Sequence, residues 1–224
     1  MNLLAIDTST DRASVALSIK GELLSEEQGS QRTHAQLLLP MIERMLAKAE
    51  VGLNQLDAIV YGRGPGSFTG LRIACAVAKG LAYAADLPLY PVSSLAAIAN
   101  EALDSHKELP NTRVLALIDA RMNQLYWSLF SSKGFEVEEQ VSAAADIKFE
   151  LADNTLILAG VGYESYLLQL APEQRAKISN HYAIYPKAAA MIRLALTGKI
   201  NTVTASDALP FYIRNQITQG EPRG

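Results

Sequence analysis

The sequence predicts an α/β protein of two small lobes, each a βββαβα unit, the second a copy of the first. Three observations carry that expectation: short apolar runs parted by turns at the start of the chain, two helix-period stretches after them, and a partial recurrence of the same order from residue 114.

Residues 3–7, 14–19 and 22–27 read as three short strands in a meander, separated by a polar turn and by Lys20-Gly21. Thr33 is a plausible N-cap for the next segment, where Leu37, Leu38, Met41, Ile42, Met45, Leu46 and Ala49 recur at three- and four-residue spacing. Pro40 lies inside that run, which predicts a kink or a later start. Residues 56–61 read as a buried strand, a glycine-rich turn follows at 63–70, and 71–85 reads as a second helix.

The echo begins with Val114-Leu115-Ala116-Leu117-Ile118-Asp119, which repeats Leu3-Leu4-Ala5-Ile6-Asp7. Asp7 precedes Gly21 by 14 residues and Asp119 precedes Gly134 by 15, so each interval spans a turn, a strand and the next hairpin. A helix-like run at 141–151, a strand at 156–159 and a helix from about Tyr163 complete the second copy. Boundaries follow: 1–105 and 106–210 as the lobes, with Pro110 in the polar run between them, and 211–224 as a C-terminal segment returning to the first lobe. A duplicated βββαβα lobe around a cleft is the plan of the actin-like superfamily, with its ribonuclease H-like sheets.

Composition sets limits on function. With 224 residues, 49% of them apolar and 19% charged, the chain can bury a substantial core. Its net charge of −3 lacks the broad basic field of a stand-alone nucleic-acid binder. The lone Cys75 cannot form an internal disulfide, the N-terminus has no basic leader, and the apolar 71–85 stretch carries Arg72 and Lys79. A cytoplasmic protein without a membrane span is expected.

The segment Arg63-Gly64-Pro65-Gly66-Ser67-Phe68-Thr69-Gly70-Leu71-Arg72 is the most informative. Its glycines open backbone angles closed to other residues, Ser67 or Thr69 can cap the helix, and amides at a helix start favour an anion. No G-K-[ST] closes it, so it is not a Walker loop. Asp7, Ser9, Gly64, Gly66, Ser67 and Thr69 are therefore phosphate or nucleotide candidates, against the plainer reading that the glycines serve a tight crossover and Asp7 an Asx turn. Thr8 stands where actin-like ATPases usually carry glycine. The 71–85 helix is apolar nearly all round, so a partner can complete its burial. Leu38, Met41, Ile42, Met45, Ile73 and Val77 are the contact candidates, chosen by helical spacing. His34, His106, His181 and Cys75 show no metal-ligand spacing, no catalytic triad is apparent, and no metal site is expected.

Three segments carry a family likeness: Leu4-Ala5-Ile6-Asp7-Thr8-Ser9-Thr10, then 61–73 around the glycine turn, and Ile118-Asp119-Ala120-Arg121-Met122. They resemble the TsaB (YeaZ) family, and the likeness resumes at Phe211-Tyr212-Ile213-Arg214-Asn215. The resemblance implies a non-catalytic partner and activator of a TsaD-type subunit, which transfers threonylcarbamoyl to N6 of the adenosine next to the tRNA anticodon, together with a TsaE-type ATPase. It further implies a self-dimer that competes with the heterodimer, contact with tRNA only through the partner, and ATP or ADP at a partner interface if anywhere. Catalytic relatives bind a metal through an H-x-x-x-H helix after a Pro-Val pair. Here Pro91-Val92 is followed by Ser94 and Ile98 at the histidine positions. The competing readings are a nucleotide- or metal-dependent enzyme working through the interlobe cleft, and direct tRNA recognition by Arg63, Arg72, Arg121 and Arg214.

Overall fold

Strand β1 (Leu3–Asp7) alternates in a way that decides both of its neighbours. Leu4 and Ile6 point to one face and enter one apolar cluster, while Leu3 and Ala5 point to the other and enter a second. A strand buried on both faces belongs in the middle of a covered sheet. The computed structural model describes residues 1–29, 34–107, 111–150 and 155–213.

β2 (Arg12–Ile19) pairs antiparallel with β1, and β3 (Glu22–Gly29) antiparallel with β2. After helix α1 (His34–Lys48), β4 (Ala58–Gly64) joins β1 in parallel. Helix α2 (Phe68–Ala85) then leads to β5 (Leu89–Ser93), parallel to β4, and to helix α3 (Ser94–Ser105). The sheet order is β3-β2-β1-β4-β5.

The second unit repeats this plan. β6 (Arg113–Arg121), β7 (Gln124–Ser131) and β8 (Gly134–Ser142) form the meander; β9 (Leu156–Val161) and β10 (Ile178–Ala183) add in parallel on the far side of β6. Its sheet order, β10-β9-β6-β7-β8, is the first order read backwards. Helix α4 (Pro172–Arg175) is a single turn, and helix α5 (Ala188–Ala195) closes the unit as α3 closes the first. The first unit thus extends the expected βββαβα order by one strand and one helix, and the second adds the same strand and closing helix but has a 3-10 turn, Ala144–Asp146, where the first has α1.

The closing helices sit in the middle layer. α5 packs on the first sheet, where Ala5, Ala16, Ala58, Ala188 and Ala190 keep the spacing close, and α3 packs on the second through Leu95, Ile98 and Ala102. Each lobe is therefore covered on its inner face by the closing helix of the other lobe's chain segment. α1 and α2 cover the outer face of the first sheet. The outer face of the second holds Leu115, Leu117 and Leu158 under Ile147, Phe149 and Tyr163.

Several expected elements differ. The strand expected at 56–61 begins at Ala58, after a 3-10 turn at Leu53–Gln55, and runs on to Gly64. α1 starts before Pro40 and not after it; Gln36 and Pro40 lie on the exposed side, where the missing N–H bond costs least. The helix expected at 141–151 is absent over its described part. Val137 and Val141 are claimed by β7, leaving a 3-10 turn at Ala144–Asp146. The helix expected from Tyr163 is a 3-10 segment, Glu164–Gln169, interrupted before Pro172 starts α4. Thr33, Pro110, Leu151, Arg214 and Asn215 lie outside the described residues.

Candidate functional site

The two Asp turns that open the lobes face a cleft of about 900 Å³ between them. The first lobe lines it with Ser9, Thr10, Asp11, Gly66, Ser67, Phe68 and Arg72, the second with Asp119, Arg121, Met122, Tyr126 and Glu164, and Tyr185 and Tyr212 reach it from later in the chain. Arg72 and Arg121, far apart in sequence, come together here, but Asp11, Asp119 and Glu164 line the same space. Arg121 is ion-paired with Asp119 at 3.1 Å. Arg63 is turned away and paired with Glu139 at 2.6 Å.

The duplication holds at atomic level. Asp7 Oδ1 accepts from the Ser9 amide at 3.0 Å, and Asp119 Oδ1 from the Arg121 amide at 2.8 Å, an Asx turn in each lobe. A glycine on or just past the neighbouring strand makes room for each acid: a Cβ on Gly62 of β4 would lie 1.8 Å from Asp7 Oδ2, and one on Gly162, which follows β9, would lie 2.8 Å from Asp119 Cβ. The environments then diverge. Asp7 is fully buried, held by Ser9 and, at 3.5 Å, by the Ser94 hydroxyl; burial pushes its carboxyl up to about 6. Asp119 is partly exposed, and receives the Tyr166 hydroxyl at 3.1 Å besides Arg121. After it, Arg121, Met122 and Asn123 all have positive φ, which asparagine tolerates but the longer Arg121 and Met122 side chains do not favour.

The glycine turn is filled by the chain itself. Thr8 Oγ1 donates to the Gly70 carbonyl at 2.7 Å, and the Ser67 amide donates to the Ser9 carbonyl at 2.7 Å. A Cβ on Gly66 or Gly70 would meet the Ser9 or Thr8 carbonyl at 2.3 or 1.8 Å. Gly64, at φ +111°, needs glycine for its backbone alone. Ser67 caps α2, its hydroxyl accepting the Gly70 amide at 3.4 Å. Of the phosphate candidates, Ser9, Gly66 and Ser67 line the cleft; Asp7 and Gly64 are buried beneath it and Thr69 is exposed outside the lining. Two residues escape the sequence reading, Thr8 as a turn-to-turn bond and Asp119 as a site residue, although the repeated Ile-Asp ending of β1 and β6 points to the latter.

The expected contact residues divide. Leu38, Met41, Ile42 and Met45 are buried in the core of their own lobe and cannot meet a partner as they stand. The face left open is on α2, where half-buried Ile73 and Val77 flank exposed Ala76, Gly80 and Tyr83, and on α1, where Leu39 and Glu43 are exposed. Helical periodicity finds an apolar stripe but does not say which surface covers it. His34 is buried at the first position of α1, with Nε2 3.3 Å from the Asp11 carbonyl. Cys75 is buried beside the Ala208 carbonyl, and burial raises its thiol.

At the positions where the metal-binding relatives carry histidines, Ser94 touches Asp7 and Ile98 is fully buried in the second core. That donor set does not fit a divalent metal, and no group of three His, Cys, Asp or Glu suited to one occurs among the described residues. None of the described helices is long and apolar enough to cross a membrane.

A family model described as TsaD, tRNA N6-adenosine threonylcarbamoyltransferase, matches residues 22–191. The chain is 36% identical to the tRNA threonylcarbamoyladenosine biosynthesis protein TsaB of Haemophilus influenzae, over 97% of this chain and 95% of that one. It is 33% identical to TsaB of Escherichia coli, over 97% and 96%. Among solved structures, YeaZ from Pseudomonas aeruginosa matches with a TM-score of 0.83 at 36% identity, covering 94% of this chain and 99% of that chain. With two sheets of matching topology and near full-length likeness to these proteins, the chain belongs to the TsaB (YeaZ) family and has its actin-like fold.

Proposed function

We propose that this chain serves tRNA threonylcarbamoyladenosine biosynthesis as the non-catalytic partner and activator of a TsaD-type subunit, acting with a TsaE-type ATPase. The observation that carries this reading is the replacement of metal-binding chemistry at Ser94 and Ile98, with the adjoining Asp7 sealed beneath the cleft. The small-residue face of α2 supports a docking role: Ala76 and Gly80 allow close approach, and Ile73 and Val77 add apolar contact. The same face serves a homodimer or the heterodimer, so the two compete. Transfer to N6 of the adenosine beside the anticodon is the partner's reaction, tRNA is met through the partner in the cytoplasm, and ATP or ADP binds, if at all, at the partner interface. Reconstitution of the modification with TsaD- and TsaE-type proteins and a supply of threonylcarbamoyl-adenylate tests this: product should form only when this chain is present. Full activity without it would overturn the proposal.

The open cleft favours a second reading, a nucleotide-dependent enzyme acting alone. Calorimetry of the isolated chain with ATP and ADP separates the two, because the first expects no tight binding and no turnover.

A further inference from the structure

We propose that Arg63, Ser93, Glu139 and Phe211 form a clamp that sets the angle between the lobes and seats the strap 203–213 along α2. Glu139 lies on β8, an edge strand of the second sheet, with its side chain only 5% exposed. It receives Arg63 Nη2 at 2.6 Å from the end of β4, and the Ser93 hydroxyl from the end of β5. Both donors belong to the first sheet. Ser93 also caps α3, its oxygen accepting the Ala96 amide at 3.0 Å.

Arg63 makes the third connection. Its guanidinium lies 4.3 Å from the centre of the Phe211 ring, and its carbonyl accepts the Phe211 amide at 2.7 Å. The strap ending there runs back along the first lobe. Val203 exchanges two backbone bonds with Leu89, Lys79 donates to the Ser206 and Ala208 carbonyls, and the Tyr61 hydroxyl donates to the Leu209 carbonyl at 3.1 Å. Through Arg63, the strap, the glycine turn and the second lobe meet at one guanidinium.

A buried ion pair adds little net stability compared with apolar packing, but it is directional, and loss of one partner leaves a charge without water. Such a contact specifies an arrangement. A second tie stands elsewhere on the interface: Glu101 of α3 receives Lys187 Nζ at 2.7 Å and Arg193 Nη2 at 2.6 Å, beside α5. Breaking the Glu139 clamp therefore leaves the lobes joined at the α3–α5 layer, about which they can turn. The inference is independent of any partner or substrate.

The test uses the full chain with Cys75→Ser and spin labels at Glu27→Cys and Leu168→Cys, exposed sites on opposite lobes. Adding Glu139→Gln should broaden the interlobe distance distribution by several ångströms, on the order expected of a local opening, and speed amide exchange in 203–213 by about tenfold while β1 and β6 stay protected. The charge swap Arg63→Glu with Glu139→Arg should restore the narrow distribution. Phe211→Leu should speed exchange in the strap without widening the distance. An unchanged distribution in Glu139→Gln, or faster exchange spread evenly over both sheets, would overturn the clamp. An unchanged strap in Phe211→Leu would overturn its coupling to the strap.

Discussion

Asp7 carries a carboxyl group that no cation among the described residues offsets. Its partners are a hydroxyl and an amide of Ser9 and the hydroxyl of Ser94. Burial outweighs these bonds and raises the group from 3.8 to about 6. The sign follows: the protonated acid is favoured in the fold, so its contribution is fully present below the unfolded value and is lost as pH rises through 6. At pH 7.5, Asp7→Asn should therefore stabilise the chain by up to about 3 kcal/mol, since each tenfold change in proton affinity between the folded and unfolded chain is worth roughly 1.4 kcal/mol. The gain should shrink towards zero near pH 4. Urea unfolding at the two pH values checks this, and an equal gain at both would refute burial as the cause.

At the scale of elements, the glycine turn and α2 give contrasting predictions. Gly70→Ala would drive a Cβ to 1.8 Å from the Thr8 carbonyl, which the Thr8–Gly70 bond holds in place, and should cost at least about 3 kcal/mol, the upper end for overpacking against backbone. Gly80→Ala meets nothing within 4 Å inside the same helix and should stabilise by about 0.5–1 kcal/mol. Thermal melts of the two variants should move in opposite directions. Leu38→Ala should cost about 2–5 kcal/mol as a core truncation, whereas Ala76→Arg on the open face should leave the melt within about 0.5 kcal/mol and abolish self-association in sedimentation velocity. Persistence of a dimer in Ala76→Arg would remove that face from the proposed interface. These elements also show what is legible in the sequence. The strands from Leu3 and Val114 declare themselves because a continuous apolar run with an ending Asp recurs, and the glycine turn because glycine tolerates the Thr8 and Ser9 carbonyls. The helices expected at 141–151 and from Tyr163 mislead, because over the described residues their apolar side chains serve sheet pairing and 3-10 packing, with no stable helical stripe. Leu38, Met41, Ile42 and Met45 mislead because own core and partner surface share one periodicity. Glu139 leaves no local signal, since its partners lie 46 and 76 residues away.

For the whole molecule, the middle layer decides whether two lobes unfold as two domains or one. α3 follows the first sheet in the chain yet packs on the second, and α5 follows the second yet packs on the first. Neither sheet keeps its inner cover if the other lobe unfolds, so the buried area lost is shared and unfolding should be a single transition. Glu101 reinforces this junction: its burial raises the carboxyl, but hydrogen bonds from Lys187 and Arg193 more than offset that, leaving it lowered overall. Its stabilising contribution is therefore present above the unfolded carboxyl value and lost as pH falls through the folded one. Trp127 offers a clean probe, being the single tryptophan of the chain and buried in β7 of the second lobe, with Nε1 donating to Ser142 at 3.0 Å. Its fluorescence should change over the same urea range as far-UV circular dichroism, which reports both lobes. Glu101→Gln should move both midpoints down together at pH 7 and by less at acid pH, where the carboxylate of the parent chain is itself neutralised. A tryptophan transition that separates from the dichroism signal would mean that the lobes stand independently and that the crossed helices do not couple them.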